Sequence, residues 1–172
     1  MFESPWSFIE ERGPIMRIHD ILRHKGHDVL TVGPEDTVHE AACILNRHRI
    51  GSLVVKDGDG EIAGIITERD ILRECGERCT RLNEPGESKE EGCPVLVKDI
   101  MSEDVVIGVP GDDVNYIMGV MTKNRIRHLP IIDDGELTGI VSIGDVVNAH
   151  VEEADFENRM LKDYIQGVTS EV

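Results

Sequence analysis

The chain has 172 residues, of which 40% are apolar and 30% charged, and its formal net charge is −16 at pH 7. This composition is typical of a soluble globular protein and argues against disordered, nucleic-acid-binding and membrane-surface proteins, because the last two need clustered Lys and Arg. No apolar run is long enough to cross a bilayer and the N-terminus does not resemble a signal peptide, so we expect a cytoplasmic protein.

The first predicted elements follow an N-terminal extension, residues 1–15. A short apolar stretch ending at Val32 predicts a strand, and Asp36 after it is a helix-start signal, because its carboxylate can accept free N–H groups of a first turn. Apolar residues then recur at helical spacing. Two more strands around an Asp- and Gly-rich turn, and a helix beginning near Asp70, complete a βαββα unit. Its strands are predicted at residues 29–32, 52–55 and 62–66.

The same order of elements recurs in the second half of the chain. The segments DVLTVGPEDTVHEAACILNRHRIGSLVV from Asp28 and DVVIGVPGDDVNYIMGVMTKNRIRHLPI from Asp104 align throughout, and the alignment continues to Asp70 and Asp145 with one deletion. Here Asp112 is the expected helix cap, and strands are predicted at residues 105–109, 128–132 and 137–141. One copy of about 50 residues is too small to bury an adequate core, so we expect the two copies to pack together.

The four cysteines are too few and too irregularly spaced for a disulfide framework. Cys43 falls in an apolar helical pattern and is predicted to be a small core residue. Cys75, Cys79 and Cys93 lie in or near the linker between the copies, and no nearby fourth ligand completes a structural zinc site. No metal site is therefore predicted.

Two heptads carry the clearest likeness to a known family. Residues 64–70 read GIITERD and residues 139–145 read GIVSIGD, each at the same place in its copy. The chain resembles a tandem CBS-domain pair, also called a Bateman module. The resemblance implies an α+β fold of two tandem βαββα CBS units packed as a pseudo-twofold pair, followed by an amphipathic C-terminal helix. The expected domains are a first CBS domain at 16–80, a linker at 81–96, a second CBS domain at 97–151 and a helical tail at 152–172.

The heptads also carry the expected chemistry. A carboxylate at a strand-to-helix junction, Asp70 or Asp145, can accept hydrogen bonds from both hydroxyls of a ribose. Three residues earlier, Thr67 or Ser142 offers a hydroxyl to a phosphate oxygen, and the helix N-terminus adds free N–H groups. The alternative is that both Asp residues only cap their helices.

Basic residues stand at matching places between the first helix and the next strand of each copy. Residues 47–49 read RHR, and residues 123–128 read KNRIRH. Cations also stabilise a helix C-terminus, which suffices to explain most of them. Arg127 and His128 enter the predicted strand, and the family resemblance places both beside a ligand.

The resemblance further implies two clefts, each completed by residues of both copies. The apolar members would hold an adenine ring, and the better site for an anionic nucleotide is expected at the cleft with Arg127 and His128. One cleft would gather Ser142, Asp145, Arg127, His128, Asp36, Ala41, Ile50 and Gly51, and the other Thr67, Asp70, Ser52, Arg69, Asp112, Ile117 and Ile126.

The predicted function is a regulatory module that senses an adenine nucleotide and has no catalytic residues or cofactor of its own. AMP is the expected ligand, with ATP or an NAD-type dinucleotide as alternatives. The carboxylates of Asp36 and Asp112 disfavour a ligand with many phosphates, so a monophosphate or a dinucleotide is favoured over a triphosphate. The expected partners are a second copy of the chain, in a homodimer, and an unidentified effector protein; neither nucleic acid nor membrane is expected. The alternative is a homodimeric interaction scaffold whose clefts bind nothing, and no catalytic motif favours an enzyme.

Overall fold

The structure, a computed structural model, describes residues 16–81 and 95–169, which form two compact units. The first unit spans residues 28–106 and contains the first sequence copy. The second unit combines the helix before residue 28 with residues 107–169 and contains the second copy. The N-terminal extension and most of the predicted linker lie outside the described residues.

The first unit is a three-stranded sheet with two helices. Strand β1 (Thr31–Val32) pairs in parallel with β2 (Ser52–Lys56), and β2 pairs antiparallel with β3 (Ile62–Thr67). Helix α2 (Val38–His48) connects β1 to β2, and α3 (Glu68–Arg81) follows β3. The predicted order of strands and helices is thus confirmed here. The core residues are Val32, Ala41, Leu45, Leu53, Val55, Ile66 and Val97.

The second unit repeats this plan with a shorter first strand. Helix α4 (Val114–Asn124) precedes the antiparallel strands β4 (His128–Asp133) and β5 (Glu136–Ser142). The strand predicted at 105–109 is reduced to a single parallel bridge between Gly108 and Ile131. Helix α1 (Ile18–Lys25) belongs to this unit and buries Ile18 and Leu22, and helix α5 (Ile143–Thr169) follows β5.

The segment before each sequence copy packs in the unit of the other copy. Helix α1 precedes the first copy but packs in the second unit, and residues 97–102 precede the second copy but pack in the first unit. Leu22 of α1 packs on Gly139 of β5, and Met101, which follows a short 3-10 turn at Val97–Asp99, packs on Gly64 of β3. A Cβ atom at Gly139 would lie 2.6 Å from Leu22 Cδ2, and one at Gly64 would lie 2.7 Å from Met101 Sδ. Both heptad glycines are therefore required for close packing of these segments.

The helix caps differ from the prediction by one residue. Thr37, not Asp36, caps α2: its side chain accepts from the Glu40 N–H at 3.2 Å, and the Glu40 carboxylate accepts from the Thr37 N–H at 2.9 Å. The hydrogen bond from the Thr37 backbone holds the pKa of Glu40 below its ordinary value. This reciprocal pair forms a capping box, which a lone Asp at position 36 cannot provide.

In the second copy the cap is Asp113, which accepts from the N–H groups of Asn115 and Tyr116. The predicted caps instead close the preceding turns. Asp36 accepts from the Gly33 N–H at 2.7 Å, and Asp112 accepts from the Val109 N–H at 2.8 Å. The predicted cap positions were wrong because the carboxylates of Asp36 and Asp112 each accept from an N–H group three residues earlier, across a Pro-containing turn, and not from the first turn of the helix.

The prediction of a buried Cys43 is also wrong. Helix α2 turns Ala41 and Leu45 into the core, whereas Cys43 lies on its exposed side, with Sγ 3.7 Å from His39 Nε2. The apolar pattern marked the correct face of the helix, but a thiol between two core positions falls on the opposite face because successive residues turn by about 100°.

Helix α5 is longer than the repeat requires. It runs without a break for 27 residues, so the predicted tail continues the last helix of the second copy. Near its start, Val146 and Ala149 are buried, and the Glu153 carboxylate accepts from the Met16 N–H and from Asn115 Nδ2, both at 3.1 Å. The predicted α+β fold class, with two repeated units and a C-terminal helix, is confirmed.

Gly119 offers a stability prediction. It lies inside α4, it is exposed, and a Cβ added there would meet nothing within 4 Å. Because glycine in a helix interior is destabilising relative to alanine, Gly119→Ala should raise the free energy of unfolding by roughly 0.5–1 kcal/mol. Urea denaturation of the two proteins measures this difference, and an equal or lower midpoint for the variant would contradict it.

Candidate functional site

Thr67 and Asp70 stand where β3 ends and α3 begins. The Asp70 carboxylate accepts from the Thr67 backbone N–H at 3.0 Å and from its hydroxyl at 2.7 Å. In return, the Asp70 N–H donates to Thr67 Oγ1 at 3.4 Å. These bonds satisfy N–H groups that have no partner within a helix, so the pair forms a capping box at the start of α3.

Ser142 and Asp145 repeat this arrangement where β5 meets α5. The Asp145 carboxylate accepts from the Ser142 N–H at 2.7 Å and from its hydroxyl at 2.8 Å, and the Asp145 N–H donates to Ser142 Oγ at 3.2 Å. The capping role that the sequence left open is therefore confirmed in both units. It accounts for the Thr/Ser-x-x-Asp spacing without a ligand, and a ligand role must rest on other features.

The two carboxylates differ in their cationic partners. Asp70 is 7% exposed and pairs with Arg73, one turn further along α3, at 3.1 Å. Asp145 is more exposed and pairs with Lys25 at 2.5 Å. Lys25 is the last residue of α1 and precedes Asp145 by 120 positions in the chain. The second unit thus brings a lysine from a different segment to its heptad aspartate.

Opposing effects act on the pKa of Asp145. Partial burial raises it, but hydrogen bonds from the Lys25 ammonium and from the backbone and hydroxyl of Ser142 outweigh burial and hold the pKa of Asp145 below its ordinary value of 3.8. The carboxylate is therefore ionised at neutral pH, as charge-assisted hydrogen bonding to a ribose requires.

This ion pair predicts a pH-dependent contribution to stability. A depressed carboxylate pKa stabilises the fold above the unfolded pKa, near 3.8 for Asp145, and this stabilisation is lost as pH falls through the folded pKa. Lys25→Met should therefore lower the free energy of unfolding by about 1 kcal/mol or less at pH 6, and by less at pH 3. Urea denaturation of both proteins at the two pH values tests this, and an equal loss at both would contradict it.

The predicted basic residues fall into two groups. Arg49 and Arg125 end α2 and α4 in the left-handed conformation, with φ of 54° and 56°. Their backbone N–H groups bond to carbonyls of the last helical turn. Their positions at the C-termini of α2 and α4 agree with the interpretation that cations there stabilise the helix ends.

Arg127 and His128 lie directly beside the Ser142–Asp145 box. The Arg127 carbonyl accepts from the Ile143 N–H at 2.8 Å, and His128 stands opposite Ser142 in the pairing of β4 with β5. The Arg127 side chain is exposed. The second unit therefore brings together four of the predicted site residues, and Lys25 joins them.

The first unit brings the corresponding residues together, with Gly51 and Ser52 in the places of Arg127 and His128. The Gly51 carbonyl accepts from the Glu68 N–H at 3.1 Å, and buried Ser52 stands opposite Thr67. Arg69, the second residue of α3, is exposed. The basic residues near this box, Arg69 and Arg73, both lie on α3.

The other predicted members lie as follows. Ala41 and Ile117 are fully buried in the cores of their own units, whereas Ile50 and Ile126 are half-buried. Each predicted cleft combines residues of both sequence copies, and these residues belong to two different units. That the two units together form such clefts stays a prediction. In the first unit lie Asp36, Ala41, Ile50 and Gly51, and in the second Asp112, Ile117 and Ile126.

Sequence reasoning missed Lys25 and Arg73. Lys25 precedes the first copy, so the repeat alignment does not point to it, and only the packing of α1 in the second unit brings it to Asp145. Arg73 could have been found from its spacing, because residues three apart on a helix are neighbours.

A model of the CBS domain matches residues 18–77 and 97–152, which is more than half of the chain. The chain belongs to the CBS-domain family. It is 40% identical over 158 residues to the mitochondrial CBS domain-containing protein CBSX3 of Arabidopsis thaliana, a match that covers 87% of this chain and 72% of the relative. The resemblance inferred from the two heptads is thereby confirmed.

Solved structures of CBS proteins have the same fold. A CBS-domain containing protein from Agrobacterium tumefaciens is 38% identical, with a TM-score of 0.68, over 81% of this chain and 96% of the other. The CBS domain pair of protein MJ0100, in complex with 5′-methylthioadenosine and S-adenosyl-L-methionine, is 26% identical, with a TM-score of 0.67, over 81% of this chain and 99% of the other.

One class of relative is an enzyme. Inosine-5′-monophosphate dehydrogenase of Methanocaldococcus jannaschii is 34% identical over 121 residues, but this match covers 21% of the enzyme.

Within residues 16–81 and 95–169, no group of three or more His, Cys, Asp or Glu side chains could hold a metal ion. No helix in this part of the chain has the length and apolar character to cross a membrane.

Proposed function

We propose that the protein is a regulatory module without catalytic activity. It binds an adenine nucleotide at the Ser142–Asp145 site of its CBS pair. It acts as a homodimer on an unidentified effector protein. The observation that carries this proposal is the group of basic residues at this site. In a protein of net charge −16, Lys25, Arg127 and His128 lie on or beside the Ser142–Asp145 box. The cytoplasmic location stays a prediction.

The Asp145 carboxylate has capacity beyond the capping box. Its contacts with the Ser142 N–H, the Ser142 hydroxyl and Lys25 all use Oδ2. An ionised carboxylate offers about four acceptor positions, so a ribose diol can be accommodated while the box stays intact. Lys25 and Arg127 would then stand near the phosphate, where a cation offsets its charge. AMP is the expected ligand, with ATP and NAD-type dinucleotides as alternatives.

The ligands of one relative support an adenine-containing compound. The CBS pair of MJ0100 is in complex with 5′-methylthioadenosine and S-adenosyl-L-methionine, which share adenine and ribose and lack phosphate. Adenine and ribose recognition is therefore compatible with this fold. The basic residues of the present chain favour a phosphorylated ligand instead.

Thermal unfolding of the nucleotide-free protein tests the proposal. AMP, ADP, ATP, NAD, NADH and S-adenosylmethionine are added separately. At 100 times the dissociation constant a ligand stabilises the folded state by about 2.7 kcal/mol, which raises the melting temperature of a protein of this size by roughly 5–10 °C. A saturable rise with one adenine nucleotide is expected. The absence of any rise, on protein shown to be folded and ligand-free, would overturn the sensor proposal.

A second candidate function is a scaffold whose clefts bind nothing. The capping boxes favour it, because they account for Thr67, Asp70, Ser142 and Asp145 by hydrogen bonds within the protein. It accounts for the pairing of Lys25 with Asp145 only as a stabilising contact, and it gives the neighbouring Arg127 and His128 no ligand to bind. The thermal experiment separates the two, since a scaffold shows no nucleotide-dependent stabilisation.

A further inference from the structure

The second half of helix α5 is exposed on all sides within the described structure. From Asp155 to Ile165 every residue is exposed, and large apolar side chains are among them. This segment continues a helix whose first turns are packed in the second unit, so its exposed apolar side chains, rather than its length, indicate a contact surface.

One stripe of this helix follows a heptad pattern, and the exposed Phe156, Met160 and Tyr164 lie outside it. Val151, Ala154, Asn158, Leu161 and Ile165 are separated by three, four, three and four residues. This spacing places them along one stripe, as at the a and d positions of a coiled coil, with Val151, Asn158 and Ile165 at a. Val151 and Leu161 are 51% and 61% exposed. The stripe is separate from Val146 and Ala149, which are buried in the second unit.

We propose that this stripe joins two copies of the chain in a parallel, two-stranded coiled coil. Residue types at the stripe favour two strands: β-branched Val151 and Ile165 lie at a, and Leu161 lies at d. Asn158 is the one polar residue of the stripe, and a single Asn at an a position specifies register and a two-stranded state. The inference rests on the proposed homodimer and is independent of nucleotide binding.

The charges beside the stripe complement each other across such a dimer. Glu157 falls at g and Lys162 at e of the next heptad, positions that face each other between parallel strands in register. Five residues apart, the two side chains are not neighbours on one helix, where contacts join residues three or four apart. Their opposite charges therefore favour association with a second copy.

Cysteine cross-linking of the full chain tests the geometry. The four native cysteines are first replaced by serine, and Val151→Cys, Leu161→Cys and, as a control, Met160→Cys are introduced singly and oxidised with diamide. Only a parallel dimer in register brings both position 151 and position 161 opposite their own copies. Disulfide-linked dimers are expected for Val151→Cys and Leu161→Cys. Linkage at only one of these positions, or equal linkage at position 160, would overturn the proposal.

Analytical ultracentrifugation of charge and core variants measures the energetics. Leu161→Asp should weaken dimerisation at least about 30-fold, whereas Met160→Asp, at a 54% exposed residue outside the stripe, should leave it unchanged. Glu157→Lys should weaken it by up to about ten-fold, and adding Lys162→Glu should restore it. A dimer insensitive to Leu161→Asp would refute the coiled coil and keep the homodimer, and a monomeric wild type would refute both.

Discussion

Asp145→Ala should abolish the rise in melting temperature that an adenine nucleotide produces in the wild-type protein. The substitution removes the carboxylate proposed to accept both ribose hydroxyls, and a hydrogen bond to a charged group contributes about 1.5–3 kcal/mol. Losing two such bonds weakens binding by at least about 100-fold. Isothermal titration calorimetry of both proteins with the nucleotide that stabilises the wild type measures this loss.

Asp145→Ala also removes a helix cap, so its own stability must be controlled. Asp70→Ala is the matched variant, because Asp70 makes the same capping box and also pairs with a cation. Both variants should lose roughly 1 kcal/mol of stability without ligand. Asp70→Ala should retain nucleotide binding at the second unit, and full retention of binding by Asp145→Ala would place the ligand elsewhere.

Gly64→Ala should destabilise the first unit strongly. An added Cβ would lie 2.7 Å from Met101 Sδ and 2.9 Å from the Ser102 carbonyl oxygen. The methionine end can move, but the carbonyl accepts from the Ile65 N–H at 3.0 Å and is part of the bridge that attaches this segment to β3. Overpacking of this kind costs about 1–3 kcal/mol, and the upper half of that range is expected because a backbone atom must shift.

Urea denaturation of Gly64→Ala and Gly119→Ala compares a crowded glycine with an open one. Both variants add the same methyl group, but at Gly119 nothing lies within 4 Å of it. Opposite signs are therefore expected, with loss of stability at position 64 and gain at position 119. If Gly64→Ala left the free energy of unfolding unchanged, the segment following the 3-10 turn would be able to move away from β3.

The repeat and the strand–turn–strand elements could be predicted because their signals are local. Apolar spacing, Asp–Gly turns and the GIITERD and GIVSIGD heptads lie within each copy. The predicted strands at 52–55 and 128–132 agree with β2 and β4 to within a residue. The helix starts were less certain, because Asp36 and Thr37 are adjacent residues that can each cap, and only the capping box with Glu40 decides between them.

The candidate site was predictable in part for the same reason. The Thr67–Asp70 and Ser142–Asp145 pairs are three residues apart, so their contacts follow from the sequence spacing. Lys25 is not predictable in this way. The exposure of Cys43 does follow from the sequence spacing, because it lies two residues from the core positions Ala41 and Leu45 on the same helix.

The amino-acid sequence alone determined the duplicated unit, its order of strands and helices and the paired heptads, because hydrophobic period, turn chemistry and helix capping act over a few residues. Only the tertiary structure decided that α1 packs in the unit of the second copy, where Leu22 covers Gly139 and Lys25 reaches Asp145. These contacts join residues more than a hundred positions apart, and their partners are selected by shape and charge in the folded core, which no local pattern encodes.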